Sequence, residues 1–375
     1  EKEYDNILVL IDSIIDEYDE VVFDVSHGFR HLPILATVSL IIQNIKDPDK
    51  VRNIIFAKEI EAFKEYEIID LKEYLDLAKL SYVLSSFNDN YTVGNSMTFS
   101  EESCQNLVDQ LRIISTHILA NSVQQLIGEE NILTQTITSL KKLQKEEDTL
   151  RTFNKYITDI TGHLSNIKNL QRKPHYYQLF SLATMMEKRG YLLNSITLFN
   201  ESVGLYCVEE LKSIDERVKK HIEEYQGINN NLYELAQQSK TIIKNKENFT
   251  GVYLFDTAQT KLTSGHKTSL QKKKKKLKER IPEKILEEIE NSGFTISLSP
   301  FNKQKDKSIT QLIQDYLQKH NVALLEELII SIEKLRNNLA HGNSSGKIEN
   351  VQRELGVFIK KFKSLINETN KTRTI

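Results

Sequence analysis

Cysteine is nearly absent from this chain of 375 residues: Cys104 and Cys207 are the only two, with no metal-ligand spacing and no partner pattern. That argues against a disulfide-stapled fold and fits a reducing, cytoplasmic setting. Glycine and proline are also scarce, at 13 and 5, so the chain has few residues for turns and much Leu, Ile, Lys and Glu for helices. A mostly helical protein is expected. No apolar run approaches the roughly 20 residues of a membrane span, and no signal-peptide pattern is visible. Fifty basic side chains against 52 acidic ones leave a formal charge of −2. No global field advertises a nucleic-acid partner, and any RNA site has to be local.

The length is a soft prior for two or three domains. The chain starts at Glu1 with a helical pattern from Tyr4 to Tyr18, with Ile7, Leu8, Leu10, Ile11, Ile14 and Ile15 as its apolar positions. Glu20 to Val25 then reads as a buried strand, and Arg30 to Ile45 as a helix with Pro33 placed early, where a missing N–H costs little. Strands follow over Arg52 to Lys58 and Tyr66 to Leu71. The spacing argues for a parallel, Rossmann-like sheet, entered part-way through an α/β unit, with further strands expected upstream of Glu1.

After Leu71 the texture changes. A helix to Phe87 and a polar turn cluster, Asn88 to Ser96, lead into long amphipathic helices. These run from Glu101 to Leu126, Glu130 to Asn169, Tyr176 to Arg189, Leu192 to Ile214, Asp215 to Tyr225 and Leu232 to Lys244. Residues 251–307, with the lysine run Lys272 to Lys276, read as an insertion or lid. Two strong helices close the chain, Ser308 to Leu339 with a break near His320-Asn321, and Ile348 to Ile366. The expected class is α/β plus all-α, with the domain boundary near residue 95.

The first chemically suggestive group lies near the C-terminus: Arg336-Asn337-Asn338-Leu339-Ala340-His341. Leu324, Leu325, Leu328, Ile329, Ile332, Leu335 and Leu339 mark a buried stripe, and Gly342 is a natural helix stop. Arg336 and His341 fall in and just beyond the last turn, with directions about 140° apart. One helix does not focus both on one phosphate, but two copies packed about a two-fold axis can. The chemistry is then 2′-hydroxyl attack on the adjacent phosphate: histidine moves the proton and arginine braces the phosphate charge. The bland alternative is that both cations only complement the helix dipole.

The second group is Asp24-Val25-Ser26-His27-Gly28-Phe29-Arg30-His31-Leu32-Pro33. A strand end, a glycine turn and a helix start make an anion site beyond the carboxyl end of a sheet. Ser26 caps the helix or donates to a phosphate, while His27 and Arg30 add charge. The bland alternative is a Ser26 cap, a buried structural Asp24 and a surface Arg30.

The pattern R-N-x-x-A-H in a helical setting resembles the HEPN ribonuclease motif. The string from Asp24 to Pro33 resembles the D-x-[ST]-H-G-F-R-x-x-P signature of CRISPR-associated CARF proteins, and the Phe56-Ala57-Lys58 strand and the Ile68-Ile69-Asp70-Leu71 run are similar to that family too. Together they resemble a CARF–HEPN effector of type III CRISPR systems. The resemblance implies a partial, Rossmann-like CARF sensor domain over residues 1–95 and a mostly helical HEPN domain over 96–375, with an insertion at 251–307. It implies a homodimer or higher assembly that binds cyclic oligoadenylate as activator at Ser26, His27, Gly28 and Arg30. Single-stranded RNA would be cleaved without a metal or other cofactor by Arg336, Asn337 and His341. The family's opening strand and glycine-containing loop have no match here, so either that part of the activator pocket lies upstream of Glu1 or the pocket is incomplete.

Other features have a plain reading. Lys272 to Lys276 can attract RNA by counterion release, but Glu279, Glu283 and Glu287 nearby make a solvated helix face the simpler reading. Glu201 reads as a surface carboxylate, with a place facing the catalytic groove as the alternative. His117, His163, His175, His221, His266 and His320 show no pairing spacing. A rival function is a cyclic-oligoadenylate sensor whose HEPN domain is a non-catalytic dimerisation or recruiting scaffold. A helical scaffold with no ligand is a third reading, and ring nuclease activity in the sensor domain, degrading its own activator by the same 2′-hydroxyl attack, is left open beside all three.

Overall fold

The apolar spacing of the first helix commits one face of it to a sheet, and the fold begins there. A computed structural model describes residues 2–26, 31–47, 50–95, 97–99, 101–128, 131–146, 153–229, 232–246, 307–342 and 347–373. They pack as two compact units, Glu1–Lys173 and Pro174–Ile375.

In the first unit, helix α1 (Lys2–Glu17) leads into strand β1 (Val21–Asp24), helix α2 (His31–Lys46), and strands β2 (Val51–Glu61) and β3 (Glu65–Asp70). The strand order is β1-β2-β3. β1 and β2 are parallel, with Phe23 opposite Ile54, as expected for a crossover through α2. β2 and β3 are antiparallel, with Ala57 opposite Ile68, so the sheet is mixed. The chain reverses over Ala62-Phe63-Lys64, where Phe63 adopts a φ of 58°. The reversal leaves no crossover between the two strands, and only an antiparallel pairing fits so short a link.

One sheet face forms a core: Val21, Phe23, Val51 and Ile54 pack with Ile11 and Ile15 of α1 and with Leu40 and Ile41 of α2. Helix α3 (Lys72–Asn90) closes this core through Leu75. The opposite face of β1 is not buried as expected, since Val22 is 55% exposed. Asp24 is exposed too.

The rest of the unit is helical. The expected helix from Glu101 to Leu126 is two, α4 (Glu102–Leu119) and α5 (Val123–Ile127), separated at Asn121, whose φ is 56°. The expected helix from Glu130 to Asn169 is also two, α6 (Ile132–Glu146) and α7 (Asn154–Asn169), which pack on each other. Leu140 and Leu143 are buried on α6, as are Ile160 and Leu164 on α7. Two helices can bury these stripes against each other, which one straight helix cannot do. The packing division therefore lies downstream of the texture change at residue 95, because α3 rests on α4 and α7.

The second unit contains α8 (His175–Lys188), α9 (Leu192–Lys212), α10 (Glu216–Asn229), α11 (Leu232–Lys244), α12 (Lys307–Lys319), α13 (Ala323–Ala340) and α14 (Ile348–Arg373). The expected break near His320 is the α12–α13 junction. α9 is the hub, with Ile196, Phe199, Val203, Tyr206 and Cys207 all at 1% exposure or less. Phe362 of α14 meets the rings of Phe180, Phe199 and Tyr206 at 5.2, 5.4 and 5.3 Å between centroids. The sequence segment read as an insertion, with its lysine run, lies outside the described residues up to 306. No helix among the described residues is long and apolar enough to cross a membrane.

Candidate functional site

The apolar stripe of α13 sets the site. Leu325, Leu328, Ile329, Ile332 and Leu335 are buried, which turns the last helical turn and its polar residues toward the unit surface. Arg336 is half-buried, and Asn337 and His341 are exposed. The Arg336 guanidinium Nη1 donates to Asn337 Oδ1 at 3.0 Å. His341 is the C-cap, and its backbone N–H donates to Asn337 O at 3.1 Å. Gly342 follows with φ +64°, so the helix stops where glycine was expected to stop it.

Arg336 also has a neighbour on α9. Glu201 is half-buried rather than a plain surface carboxylate, and it lies within electrostatic reach of Lys240 and Arg336. Burial pushes the Glu201 carboxyl above its ordinary value, while Lys240 and Arg336 pull it back. The side chain is thus close enough to Arg336 to feel its charge.

Behind this pair sits a cluster that the sequence reading missed. Lys240 of α11 is 1% exposed, and its Nζ donates to Asn200 Oδ1 at 3.0 Å and pairs with Glu333 Oε1 at 3.3 Å. Lys244 Nζ pairs with the other oxygen, Glu333 Oε2, at 2.9 Å. Burial acts to raise the Glu333 carboxyl, but the two lysines outweigh it and hold the group below its usual range. Burial lowers Lys240, against the pull of Glu333. The same burial pushes the Cys207 thiol up, which disfavours the thiolate there. A signal for the cluster was present. On α11 the buried positions are 235, 236, 239, 240, 242 and 243, and Lys240 occupies one that the apolar period reserves for the core.

The two half-buried carboxylates act oppositely with pH. The folded Glu201 binds its proton more tightly than the unfolded chain does. Its contribution to stability is therefore full below the unfolded carboxylate value and lost as pH rises through the folded one. Glu333 contributes above the unfolded value and loses that contribution as pH falls through its depressed one. Replacing Glu201 with Gln is therefore expected to raise stability at neutral pH and to leave it nearly unchanged near pH 4. Urea midpoints measured at both pH values check this; equal shifts at the two would contradict it.

In the first unit, Ser26 is tied to the sheet. Its N–H donates to Asp24 Oδ1 at 2.8 Å, and its Oγ accepts the Ala57 N–H of β2 at 2.7 Å. With the Val25 N–H donated to Ile55 O at 2.9 Å, the side chain of Ser26 adds a rung to the parallel ladder beyond the end of β1. The hydroxyl accepts there and keeps its proton to donate. His27, Gly28 and Arg30 lie outside the described residues. Asp24 is not the buried acid of the bland reading. Replacing Ser26 with Ala is expected to cost about 1 kcal/mol and to speed hydrogen exchange at the Ala57 amide. Unchanged exchange there would exclude the rung.

Among the described residues, no group of three or more His, Cys, Asp or Glu side chains is placed to hold a metal ion. No family model matches the chain, and no curated protein matches it.

Proposed function

We propose that this chain is a cyclic-oligoadenylate-activated, metal-independent endoribonuclease of the CARF–HEPN kind, acting in type III CRISPR antiviral defence and cleaving single-stranded RNA at a site completed by two copies. The observation that carries the reading is the R-N-x-x-A-H end of α13. There the arginine is partly open to solvent, fixed by Asn337, and followed by a histidine at the helix cap.

In this reading the 2′-oxygen of RNA forms a bond to the adjacent phosphorus as the bond from phosphorus to the 5′-oxygen breaks. His341 of one copy takes the 2′-hydroxyl proton, and the protonated His341 of the other copy gives its proton to the leaving 5′-oxygen. The products are a 2′,3′-cyclic phosphate and a 5′-hydroxyl. Arg336 meets the charge on the phosphate oxygens and Asn337 holds the guanidinium in place. About 140° between Arg336 and His341 on one helix makes a second copy part of the site. Ser26, with a hydroxyl proton available at the mouth of the sheet, supports an activator pocket in the first unit.

The test is cleavage of a fluorogenic single-stranded RNA in EDTA, with and without cyclic tri-, tetra- and hexa-adenylate, beside the Arg336→Ala/His341→Ala double variant. Cleavage that needs one ring size and disappears in the variant is the expected result. A folded dimer that binds a ring but never cuts would replace this reading with the non-catalytic sensor.

A further inference from the structure

We propose that Lys240 is a positioning residue for Arg336: it neutralises the carboxylates around the arginine and fixes the register of α13 against α9 and α11. The inference rests on the reading of Arg336 as the phosphate-binding group.

Lys240 joins three helices through one nitrogen. From α11 it reaches Asn200 on α9 at 3.0 Å and Glu333 on α13 at 3.3 Å. Glu333 precedes Arg336 by three residues, so the two lie on neighbouring turns of one face, and a displacement of Glu333 carries Arg336 with it. The helices are close where this happens. A Cβ on Gly204 of α9 would stand 2.8 Å from Ala236 Cβ on α11, so glycine is what lets the two helices approach this closely, with the Lys240 stem in ordinary contact at 3.5 Å. Two further pairs, Lys244–Glu333 at 2.9 Å and Lys246–Glu326 at 2.8 Å, fasten the end of α11 and the residues just after it along α13.

Stability alone does not explain a lysine in this place. Burying an ion pair is expensive, and an apolar side chain of similar length often serves the core equally well. The best-attested use of such a pair is to specify one register. Here the register decides where Arg336 stands. Charge adds a second effect, because Glu201 feels both Lys240 and Arg336. Without the lysine, Arg336 is the remaining cation of that pair, and Glu201 competes with phosphate for its guanidinium.

The experiment compares Lys240→Met and Lys240→Met/Glu201→Gln with wild type in the full-length protein. RNA cleavage by the wild type decides the functional reading. The positioning inference has its own readout, the Arg336 Nε–H signal in arginine-labelled protein, assigned by its loss in Arg336→Lys. Lys240→Met is expected to shift that signal and to lower kcat about tenfold with the fold retained, and Glu201→Gln in the same background is expected to recover part of both, the part owed to charge. An unmoved Arg336 signal in folded Lys240→Met overturns the inference, whether or not RNA is cut. So does a shift that Glu201→Gln leaves wholly in place. Should Lys240→Met not fold, Lys240→Gln keeps a donor without the charge and carries the same comparison. If neither folds, the lysine is structural and the inference falls.

Discussion

Arg336→Ala in the activated protein is expected to cut single-stranded RNA about 100- to 1,000-fold more slowly than wild type, the usual loss when one donor to a developing phosphate charge is removed. The fold is expected to survive. Arg336 is half-buried and hydrogen-bonds its own neighbour Asn337, so truncation there costs about 0.5 kcal/mol, as at ordinary surface sites. Lysine is not an adequate replacement, because it offers a point charge where a planar fork is needed. Arg336→Lys is therefore expected to recover only a minor part of the rate. Single-turnover cleavage in EDTA, read beside a thermal melt, measures both quantities. Wild-type rates in Arg336→Ala would remove the arginine from the chemistry, and with it the reading of α13 as a catalytic helix.

The largest stability effect is expected at Phe362. This ring is fully buried and meets Phe180, Phe199 and Tyr206 edge-on or nearly so, with all three centroids within 5.4 Å. Replacing it with alanine removes three ring contacts and leaves a void lined by α8, α9 and α14. Losses of this kind run to about 3–5 kcal/mol. The urea transition of the unit Pro174–Ile375 should move to lower denaturant by that amount. A loss under about 1 kcal/mol would mean that the three rings close over the gap, and that α14 is held by other contacts. Phe362→Leu keeps much of the volume and is expected to recover roughly half the loss.

The helices of the second unit were legible because their apolar periods are strong. The stripe read on α13 includes Leu325, Leu328, Ile329, Ile332 and Leu335, and all five are buried. Its outer members Leu324 and Leu339 are only half-buried, since they sit at the edges of the stripe. The break near His320 was legible for the same reason: the period restarts after it. Other breaks were not. Asn121 takes a left-handed conformation without a glycine, and nothing in the period from Glu101 to Leu126 marks it. The hairpin between β2 and β3 was hidden in the same way, because Ala62-Phe63-Lys64 contains no turn-forming residue and Phe63 adopts positive φ all the same. Arg336, Asn337 and His341 were singled out by the R-N-x-x-A-H pattern rather than by spacing alone, and their place in the last turn and cap of α13 was legible from the apolar stripe and Gly342. Glu201 and Lys240 were harder to read because their meaning depends on which helices touch. Period alone does place Lys240 in the core, but only packing shows that Asn200 and Glu333 meet it there.

The helix cap at His341 ties the candidate site to the most easily opened part of α13. The backbone N–H of His341 closes on Asn337 O, so one hydrogen bond joins the residue that holds the arginine to the residue that would carry the proton. Helix ends fray locally, far below the free energy of global unfolding. When this turn frays, Asn337 and His341 separate while Leu325 through Leu335 stay packed. The site therefore has a lifetime of its own, set by one helical turn, and any contact that clamps that turn lengthens it without altering the core.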